Sequence, residues 1–456
     1  MKKYFICLLL CVVLIVFFKI WNVHATFSDE NVYFSLAKNV YSNHLPYKNF
    51  SFVHPPFQLF TISIFFKIFG PSLLSGKLVA IIFSSLSVLF LFLIGRKIFR
   101  EDKKALVSSL FFIIFPAFII FSDQELGVWE SIFFFLSGLY CLLDRKYVLS
   151  SLLFSISVFY RYLSLLFFPL LVYFSEDRKK FIFFSILFNI LIFSILFYFF
   201  GYEFIYQSVS YQLFNKLFMQ QKLAKDYWRY ISLGSFTLSI LIASFLVSYE
   251  NWNKNFLIIS FYSISYELLL FLTMKTLAYH YFLYTLPFVA LCFSYSFFSA
   301  KSLFIRIFLL TTLILSLISA SRSIDFYLNK ERSKFIEEIA NYIASTAHNE
   351  KIWGEPTIVS YIAFSRNIQQ VSNYNDPFID YWRYLDEEKV IEVLERERPK
   401  FVIDMNSYLM KSSKFSEFID KYYVLDKTFG EREAKILYFV YKRLYDSVKT
   451  TEVIKL

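Results

Sequence analysis

The sequence predicts a polytopic α-helical membrane protein that carries a small C-terminal α/β domain. Of its 456 residues, 57% are hydrophobic and 22% are aromatic, whereas soluble domains average about 45–50% apolar residues. Apolar runs of roughly 17–25 residues recur through the larger N-terminal part of the chain, and such runs are long enough to cross a bilayer. The C-terminal part instead has the composition of a soluble domain.

We place the boundary between the two parts at residues 324 and 325. Residues 1–324 form the predicted transmembrane domain, in which 28–70 is an external loop with interfacial helices. Residues 325–456 form the predicted C-terminal domain, where helical periodicity alternates with β-branched and aromatic runs. Its predicted helices are 331–347, 386–397 and 413–421, and its predicted strands are 357–364, 401–405, 422–429 and 435–444.

The first apolar run places the N-terminus in the cytoplasm. Two lysines precede this run, residues 4–21, and basic residues accumulate on the cytoplasmic side of membrane proteins. The run could instead be a cleaved signal peptide, because Val-His-Ala at 23–25 resembles a cleavage site. With either interpretation, the polar segment that follows lies outside the cell.

The remaining apolar runs bring the prediction to about 11 spans, with the C-terminal domain outside. The run 57–69 is too short to span a bilayer, so we predict an interfacial or re-entrant helix there. Residues 147–174 must begin and end in the cytoplasm to keep the basic loops on one side. We therefore predict a hairpin of two short helices with Arg161 at its outer tip. The other predicted spans are 73–95, 105–122, 127–143, 181–200, 230–249, 255–274, 280–298 and 302–321.

The charge distribution argues against a nucleic-acid-binding protein, and the cysteines argue against a disulfide-rich or metal-binding one. The net charge of +11 combines +12 in residues 1–329 with −1 in residues 330–456. In the first part, basic residues cluster in short loops between apolar runs. Such clusters are topology signals, and we predict no nucleic-acid binding. All four cysteines lie in apolar runs, and their spacing shows neither a disulfide framework nor a metal site. No phosphate-binding glycine-rich loop is present.

The predicted topology collects most ionisable candidates on the outer face. Polar groups at membrane depth are costly and commonly mark function. Asp29 and Glu30 follow Ser28, a good helix N-cap. Acids in a first helical turn also favour the positive end of the helix dipole, so this pair could be structural. A carboxylate in this position could alternatively take a proton from an attacking hydroxyl group.

The other candidates also have structural explanations. His54 precedes two prolines that could simply form a turn into a helix. Asp123 and Glu125 could lie in a solvated loop. Arg161 could extend its side chain to the membrane surface, or its planar guanidinium could hold a lipid phosphate. A second cationic group could be formed by Lys275 and His280, although the adjacent Tyr281 also suits an interfacial aromatic belt.

The segment "SDENVYFSLAKNVYSNHLPYKNFSFVHPPFQLFTISIFFKIFG" (28–70) resembles the first external loop of the family 39 glycosyltransferases. This family includes protein O-mannosyltransferases and an aminoarabinose transferase. Its pattern is an Asp-Glu pair after the first span, then a tyrosine, then a Pro-Pro pair that enters a short helix ending in Phe-Gly. Residues 93–124 and 280–292 resemble later segments of the family. One departure is Phe57-Gln58 after the prolines, where eukaryotic mannosyltransferases have Leu-Gly-Lys.

The resemblance implies a type C membrane glycosyltransferase fold and a polyprenyl-monophosphate sugar donor. It implies transfer of mannose or a related sugar to a glycan, lipid or protein acceptor outside the cytoplasmic membrane, with inversion at the anomeric carbon. Asp29 matches the catalytic base and Glu30 the second acid. The implied substrate-binding residues are Tyr33, His54, Asp123, Glu125, Arg161, Lys275, His280 and Tyr281. No cofactor is required, although Asp29 with Asp123 or Glu125 leaves a divalent metal open.

Two other classes of protein compete with this prediction. A transporter or flippase of lipid-linked sugars would favour ionisable residues near the bilayer midplane and repeated broken helices, and the sequence shows neither clearly. A membrane-anchored binding protein would need neither some 11 spans nor acids in the first loop.

Overall fold

The computed structural model describes residues 2–26, 28–215, 227–273, 279–328, 331–347, 350–371, 387–431 and 436–444. Its first helices are α1 (Lys2–Trp21), α2 (Glu30–Tyr41), α3 (Phe57–Phe69), α4 (Leu73–Phe99), α5 (Asp102–Ile114), α6 (Pro116–Phe121), α7 (Val128–Leu143) and α8 (Tyr147–Tyr160). They are followed by a 3₁₀ turn (Tyr162–Phe167), α9 (Phe168–Phe174), α10 (Arg178–Phe200), α11 (Tyr202–Phe204) and a π-helix (Ile205–Asn215). Next come α12 (Tyr227–Glu250), α13 (Lys254–Thr273), a second 3₁₀ turn (Tyr279–Tyr284), α14 (Leu286–Ser299) and α15 (Leu303–Leu328).

The C-terminal part contains both helices and strands. Its elements are α16 (Glu331–Thr346), β1 (Ile352–Gly354), α17 (Pro356–Arg366), α18 (Glu387–Glu397), β2 (Phe401–Met405), a 3₁₀ turn (Leu409–Lys411), α19 (Ser413–Tyr422), β3 (Tyr423–Glu431) and β4 (Ile436–Arg443).

The chain forms two compact units that are discontinuous in sequence. The helical unit consists of residues 1–23, 53–61 and 74–329, and the mixed unit consists of 24–52, 62–73 and 330–456. Residues 28–70 were instead predicted as part of the transmembrane domain. Burial of apolar side chains accounts for the difference, because Ala25 and Leu73 pack with the core of the C-terminal segment.

The helical unit contains helices suited to a bilayer. Among the described residues, five helices are long and apolar enough to cross a membrane: Lys2–Trp21, Leu73–Phe99, Arg178–Phe200, Lys254–Leu272 and Leu303–Ile324. Shorter apolar helices accompany them. The protein is therefore a multi-pass membrane protein, as the sequence predicted, and the count of about 11 spans stays a prediction.

The predicted span 105–122 is interrupted. Helix α5 ends at Ile114, Phe115 adopts an extended conformation with φ −67° and ψ 131°, and α6 begins at Pro116. Proline lacks an amide hydrogen and pushes the preceding residue out of the helical region. Because of Pro116, this segment consists of two helices.

The predicted hairpin at Arg161 is confirmed. Helix α8 ends at Tyr160, and Arg161 is extended with φ −151°. Phe154 and Phe168, each seven residues from Arg161, stack with ring centroids 5.6 Å apart. The chain therefore reverses direction at Arg161. The second arm starts as a 3₁₀ turn and becomes helical only at Phe168.

The basic loops of the helical unit meet at one end, as the predicted alternation requires. Lys97 pairs with Asp144, and Arg145 lies 2.9 Å from Glu176. The rings of Phe99 and Phe256 stack at 5.4 Å, which brings the loop before α13 to the same end. These basic loops therefore share one end of the helical unit.

The mixed unit is built on a four-stranded sheet in the order β1-β2-β4-β3. β1 and β2 are parallel, with Gly354 opposite Ile403, and the other pairs are antiparallel. Apolar residues of α16 and α17 form one core with the sheet, which includes Ile403. Residues of α18 and α19 form a second core, which includes Val402. Successive residues of β2 thus face opposite layers.

Most of the predicted elements of the C-terminal segment are confirmed, but one is wrong. Residues 357–364 were predicted as a strand and form helix α17, while the strand β1 was missed. The stretch is rich in β-branched and aromatic residues, which favour strands. A helix-start signal overrides this preference, because Pro356 occupies the first turn and the side chain of Glu355 accepts a hydrogen bond from the amide of Ile358.

We expect Gly354→Ala to destabilise the mixed unit more than Gly70→Ala. Both glycines have positive φ, 139° and 79°, and the left-handed region costs other residues about 1–2 kcal/mol. A Cβ at Gly354 would overlap the carbonyl oxygen of Ile403, whereas one at Gly70 would meet nothing within 4 Å. Thermal unfolding and proteolysis of the purified variants measure the difference, and equal losses would contradict the close approach of β1 to β2.

Candidate functional site

Asp29 and Glu30 begin α2 and have different surroundings. Glu30 is 0% exposed, and Thr26 donates a hydrogen bond to its carboxylate. Asn31 in turn donates to the carbonyl of Thr26 at 2.8 Å. Asp29 occupies the N-cap position, is partly exposed and makes no capping hydrogen bond with its side chain. The fold thus fixes Glu30 internally and leaves Asp29 at the surface of the helix start.

Tyr33 lies one turn further along α2, inside the mixed unit. Its ring is buried and packs edge-on against Phe52 with centroids 6.2 Å apart. The structure therefore brings Asp29, Glu30 and Tyr33 together at the start of one helix, with Tyr33 largely in the core.

Glu355, which the sequence analysis did not select, lies at the start of α17 in the mixed unit. Its side chain is 1% exposed and accepts hydrogen bonds from the hydroxyl of Thr357 at 2.8 Å and the amide of Ile358 at 2.9 Å. Burial raises the pKa of its carboxyl group to about 7, although these two hydrogen bonds favour the ionised form. The group therefore titrates near neutral pH.

Asp123 lies in the turn between α6 and α7, between two lysines. Its carboxylate is 2.7 Å from the ammonium group of Lys19 and 3.4 Å from that of Lys77. All three side chains are buried, and Asp123 is 1% exposed. The alternative of a solvated loop is therefore wrong for Asp123. The turn instead holds a buried ion cluster that joins the end of α1 to the start of α4.

A second polar network links Glu125 to Arg161 in the helical unit. Gln58 donates a hydrogen bond to the carboxylate of Glu125 at 3.2 Å, and Arg161 donates to the amide oxygen of Gln58 at 2.8 Å. The guanidinium also donates to the carbonyl of Leu126 at 2.7 Å. Arg161 is buried, so its guanidinium is enclosed by these partners rather than extended into solvent. Gln58, the departure from the family pattern, connects the two charged groups.

The carboxyl group of Glu125 is 0% exposed, and its surroundings favour the neutral form. Burial, and then the nearby Glu130, raise its pKa well above the usual range. The amide of Gly127 donates a hydrogen bond to Glu125 at 3.1 Å. Gly127 has a φ of 70°, and a Cβ there would lie 3.0 Å from the Nε of Arg161. Glycine at this position thus lets the turn approach the arginine closely.

The remaining predicted residues occupy turns at helix starts. His54 is partly exposed and precedes Pro55 and Pro56, after which α3 begins, as a simple turn would require. His280 and Tyr281 lie in the 3₁₀ turn before α14, with rings 4.5 Å apart at 78°. Tyr281 is buried.

Lys275 lies outside the described residues.

Sequence reasoning missed several buried polar residues. Lys19 and Lys77 stand near the ends of apolar helices, where a basic residue is commonly a flanking topology signal. Glu267 lies within α13, and its two carboxylate oxygens accept hydrogen bonds from Thr237 and Thr285. In each case the sequence does show a charged residue within or beside an apolar run. It does not show which residue would pair with that charge.

The described side chains also bear on metal binding. Within the part of the chain that the structure describes, no group of three or more His, Cys, Asp and Glu residues could hold a metal ion. This finding concerns groups of three or more side chains. A divalent metal bound by Asp29 with Asp123 or Glu125 would use only two carboxylates, and that pair stays a prediction.

Comparison with known proteins identifies the architecture. Residues 53–202 match the family model described as dolichyl-phosphate-mannose-protein mannosyltransferase. No curated protein matches the chain. The crystal structure of ArnT from Cupriavidus metallidurans bound to undecaprenyl phosphate is similar, with a TM-score of 0.66 at 9% identity over 96% of this chain and 98% of that one. The apo structure of the same ArnT gives 0.65 at 11% identity over the same shares.

These likenesses confirm the resemblance to family 39 glycosyltransferases and the predicted fold class. The chain has the type C glycosyltransferase fold, a membrane helical part with a small C-terminal sheet. The matched residues include the proline pair and Arg161, but they begin after Asp29.

We expect Asp123→Asn to destabilise the helical unit by about 3 kcal/mol or more, because removing one partner of a buried ion pair leaves uncompensated charge. Two buried lysines would then face a neutral amide. Adding Lys77→Met should recover part of the loss. Asp144→Asn is the matched control, since its pair with Lys97 is partly solvated and such pairs contribute about 1 kcal/mol or less. Thermal unfolding in detergent that affects both aspartates equally would contradict the ion cluster.

Proposed function

We propose that the protein is a membrane glycosyltransferase that transfers a sugar from a polyprenyl-monophosphate carrier to an acceptor hydroxyl, with Asp29 as general base. The observation that supports this most is the likeness of fold over 96% of the chain to a transferase structure that contains undecaprenyl phosphate. The family match over residues 53–202 agrees with it. The sugar is mannose or a related one, and the acceptor is a hydroxyl group of a glycan, lipid or protein.

Asp29 suits the role of base better than Glu30. A general base must reach the proton that it abstracts, and Asp29 is partly exposed whereas Glu30 is enclosed and bonded to Thr26. The N-terminus of α2 also favours an ionised carboxylate, because the helix dipole is positive there. Glu30 in this mechanism holds the start of α2 in place.

The proposed reaction is a single displacement with inversion. Asp29 takes the proton of the acceptor hydroxyl as its oxygen attacks the anomeric carbon of the sugar. The bond between that carbon and the phosphate oxygen breaks, and the polyprenyl phosphate leaves with the electron pair. Cationic side chains stabilise the charge that develops on a departing phosphate, and Arg161, Lys275 and His280 are the proposed cations.

The proposed active face is extracytoplasmic. The loops that contain Lys97, Arg145 and Lys254 meet at one end of the helical unit, and the positive-inside rule supports a cytoplasmic position for that end. Asp123, Glu125 and the hairpin tip at Arg161 occupy turns between helices that the predicted topology assigns to the other side. The N-terminus is cytoplasmic in this arrangement.

We expect Asp29→Asn to reduce sugar release from labelled polyprenyl-phosphate-mannose by about 100-fold or more, since general-base catalysis contributes roughly 10²–10⁴ in rate. Lipid binding should persist. Purified protein is tested with this donor and a small panel of other lipid-linked sugars. Asp102→Asn is the matched control, because Asp102 also lies in the first turn of a helix but belongs to a basic loop.

Three results would change the assignment. Equal release by wild type and Asp29→Asn would exclude Asp29 as the base. An equal loss with Asp102→Asn would attribute the effect to helix stability. No release from any donor, with the lipid still bound, would favour the transporter of lipid-linked sugars.

A further inference from the structure

Two parallel helices of the mixed unit begin side by side, and each begins with a carboxylate. Near the end of α2, Lys38 donates hydrogen bonds to the carbonyl of Phe364 at 3.1 Å and to the side chain of Asn367 at 3.2 Å. Asp29 and Glu355 stand nine residues before Lys38 and Phe364, respectively. Because helices rise equally per residue, this pairing places the start of α2, with Asp29, near the start of α17, with Glu355.

Apolar contacts also hold α2 against α17. The rings of Phe34 on α2 and Phe364 on α17 lie 5.7 Å apart. Ala25, four residues before Asp29, is buried in the same apolar core as Ile358 and Ile362 of α17. Both ends of the α2 segment are thus fixed to α17.

Glu355 itself is held rigidly. Its amide donates to the carbonyl of Ile403 at 2.8 Å, and Thr357 and Ile358 both donate to one carboxylate oxygen, Oε2. These bonds make Glu355 the N-cap residue of α17.

Electrostatic coupling agrees with the geometry. After burial, the charge of Asp29 is the interaction that further raises the pKa of Glu355. Repulsion between two carboxylates acts equally on both, so ionisation of Glu355 increases the proton affinity of Asp29.

The other ionisable groups near Glu355 come from each neighbouring element. Tyr438 of β4 is buried, and the charge of Glu355 contributes to raising its pKa. Glu30 is the second acid of α2. Glu337 of α16 binds Tyr361 and Arg366, further along α17.

We propose that Glu355 is a positioning residue of the C-terminal segment that sets the basicity of Asp29 and so tunes the transfer reaction. This inference rests on the proposed function of Asp29. At pH values below about 7, Glu355 holds a proton and leaves Asp29 a weak base. As pH rises through that value, Glu355 loses its proton to solvent. The paired negative charges then make Asp29 a stronger acceptor for the proton of the incoming hydroxyl.

The test compares pH–rate profiles of the full-length protein with labelled polyprenyl-phosphate sugar between about pH 5.5 and 9. Wild-type activity should rise through pH 7. Glu355→Gln keeps an oxygen that can cap α17 but removes the charge, so the rise should disappear and the rate above pH 8 should fall roughly tenfold. Asp404→Asn is the matched control, because Asp404 is a buried acid of β2 that accepts a hydrogen bond from the amide of Leu409 at 3.0 Å. This control should keep the wild-type profile.

Thermal unfolding gives a readout that does not depend on activity. The pKa of Glu355 is raised on folding to about 7, so its contribution to stability is complete below its ordinary pKa and is lost as pH rises through 7. The melting temperature of wild type should decrease over this interval. Glu355→Gln should remove the decrease, and Asp29→Asn should move it to lower pH by removing the repelling charge.

The outcomes separate this inference from the proposed function. If Asp29→Asn abolishes transfer while Glu355→Gln retains the wild-type profile, only the role of Glu355 is overturned. An unshifted melting profile in Asp29→Asn would also overturn it, because the two carboxyl groups would not be coupled. If Asp29→Asn retains transfer, the proposed base is wrong whatever Glu355 does.

Discussion

Burying charge inside an apolar helical unit is the constraint on which the arrangement of this protein depends. Lys19, Lys77 and Asp123 are all buried, and their attraction must offset the loss of hydration that burial imposes. The same constraint explains why Glu125 is bonded to Gln58 and why Arg161 donates to backbone and side-chain oxygens. Each pairing ties the end of one helix to the turn between two others. The position of the helix ends is thus specified by polar contacts, while the apolar faces supply most of the burial.

In the mixed unit, apolar packing instead joins segments that are far apart in sequence. Segment 24–52 follows the first helix, yet it packs with a sheet formed by the last third of the chain. Apolar residues such as Ala25 and Phe34 pack with α17. Residues 24–52, which include the first half of the predicted external loop, therefore fold with the C-terminal segment in one unit.

The sequence predicted what depends on local signals. Hydrophobic run length predicted the membrane helices, proline and glycine marked turns, and the reversal at Arg161 followed from the alternation of basic loops. The same reasoning mistook 357–364 for a strand, because its β-branched residues outweighed the cue from Glu355 and Pro356. It also missed Lys19 and Lys77, whose role requires knowing that Asp123 lies between them. Lys19 and Lys77 lie 104 and 46 residues from Asp123, and partners so far apart leave no periodicity in the sequence, so these contacts could be found only in the structure.

Differences in burial give Asp29, Glu30 and Glu355 different roles in the proposed site. Glu30 is enclosed and bonded, Asp29 is partly exposed, and Glu355 is enclosed but titrates near pH 7. Three acids of similar intrinsic strength therefore acquire different properties from their surroundings. A carboxylate at the start of α2 would by itself be a weak base, because the helix dipole stabilises its charge. A second carboxylate at the start of a parallel helix opposes that effect, and it allows the C-terminal segment to influence chemistry proposed for the first external loop.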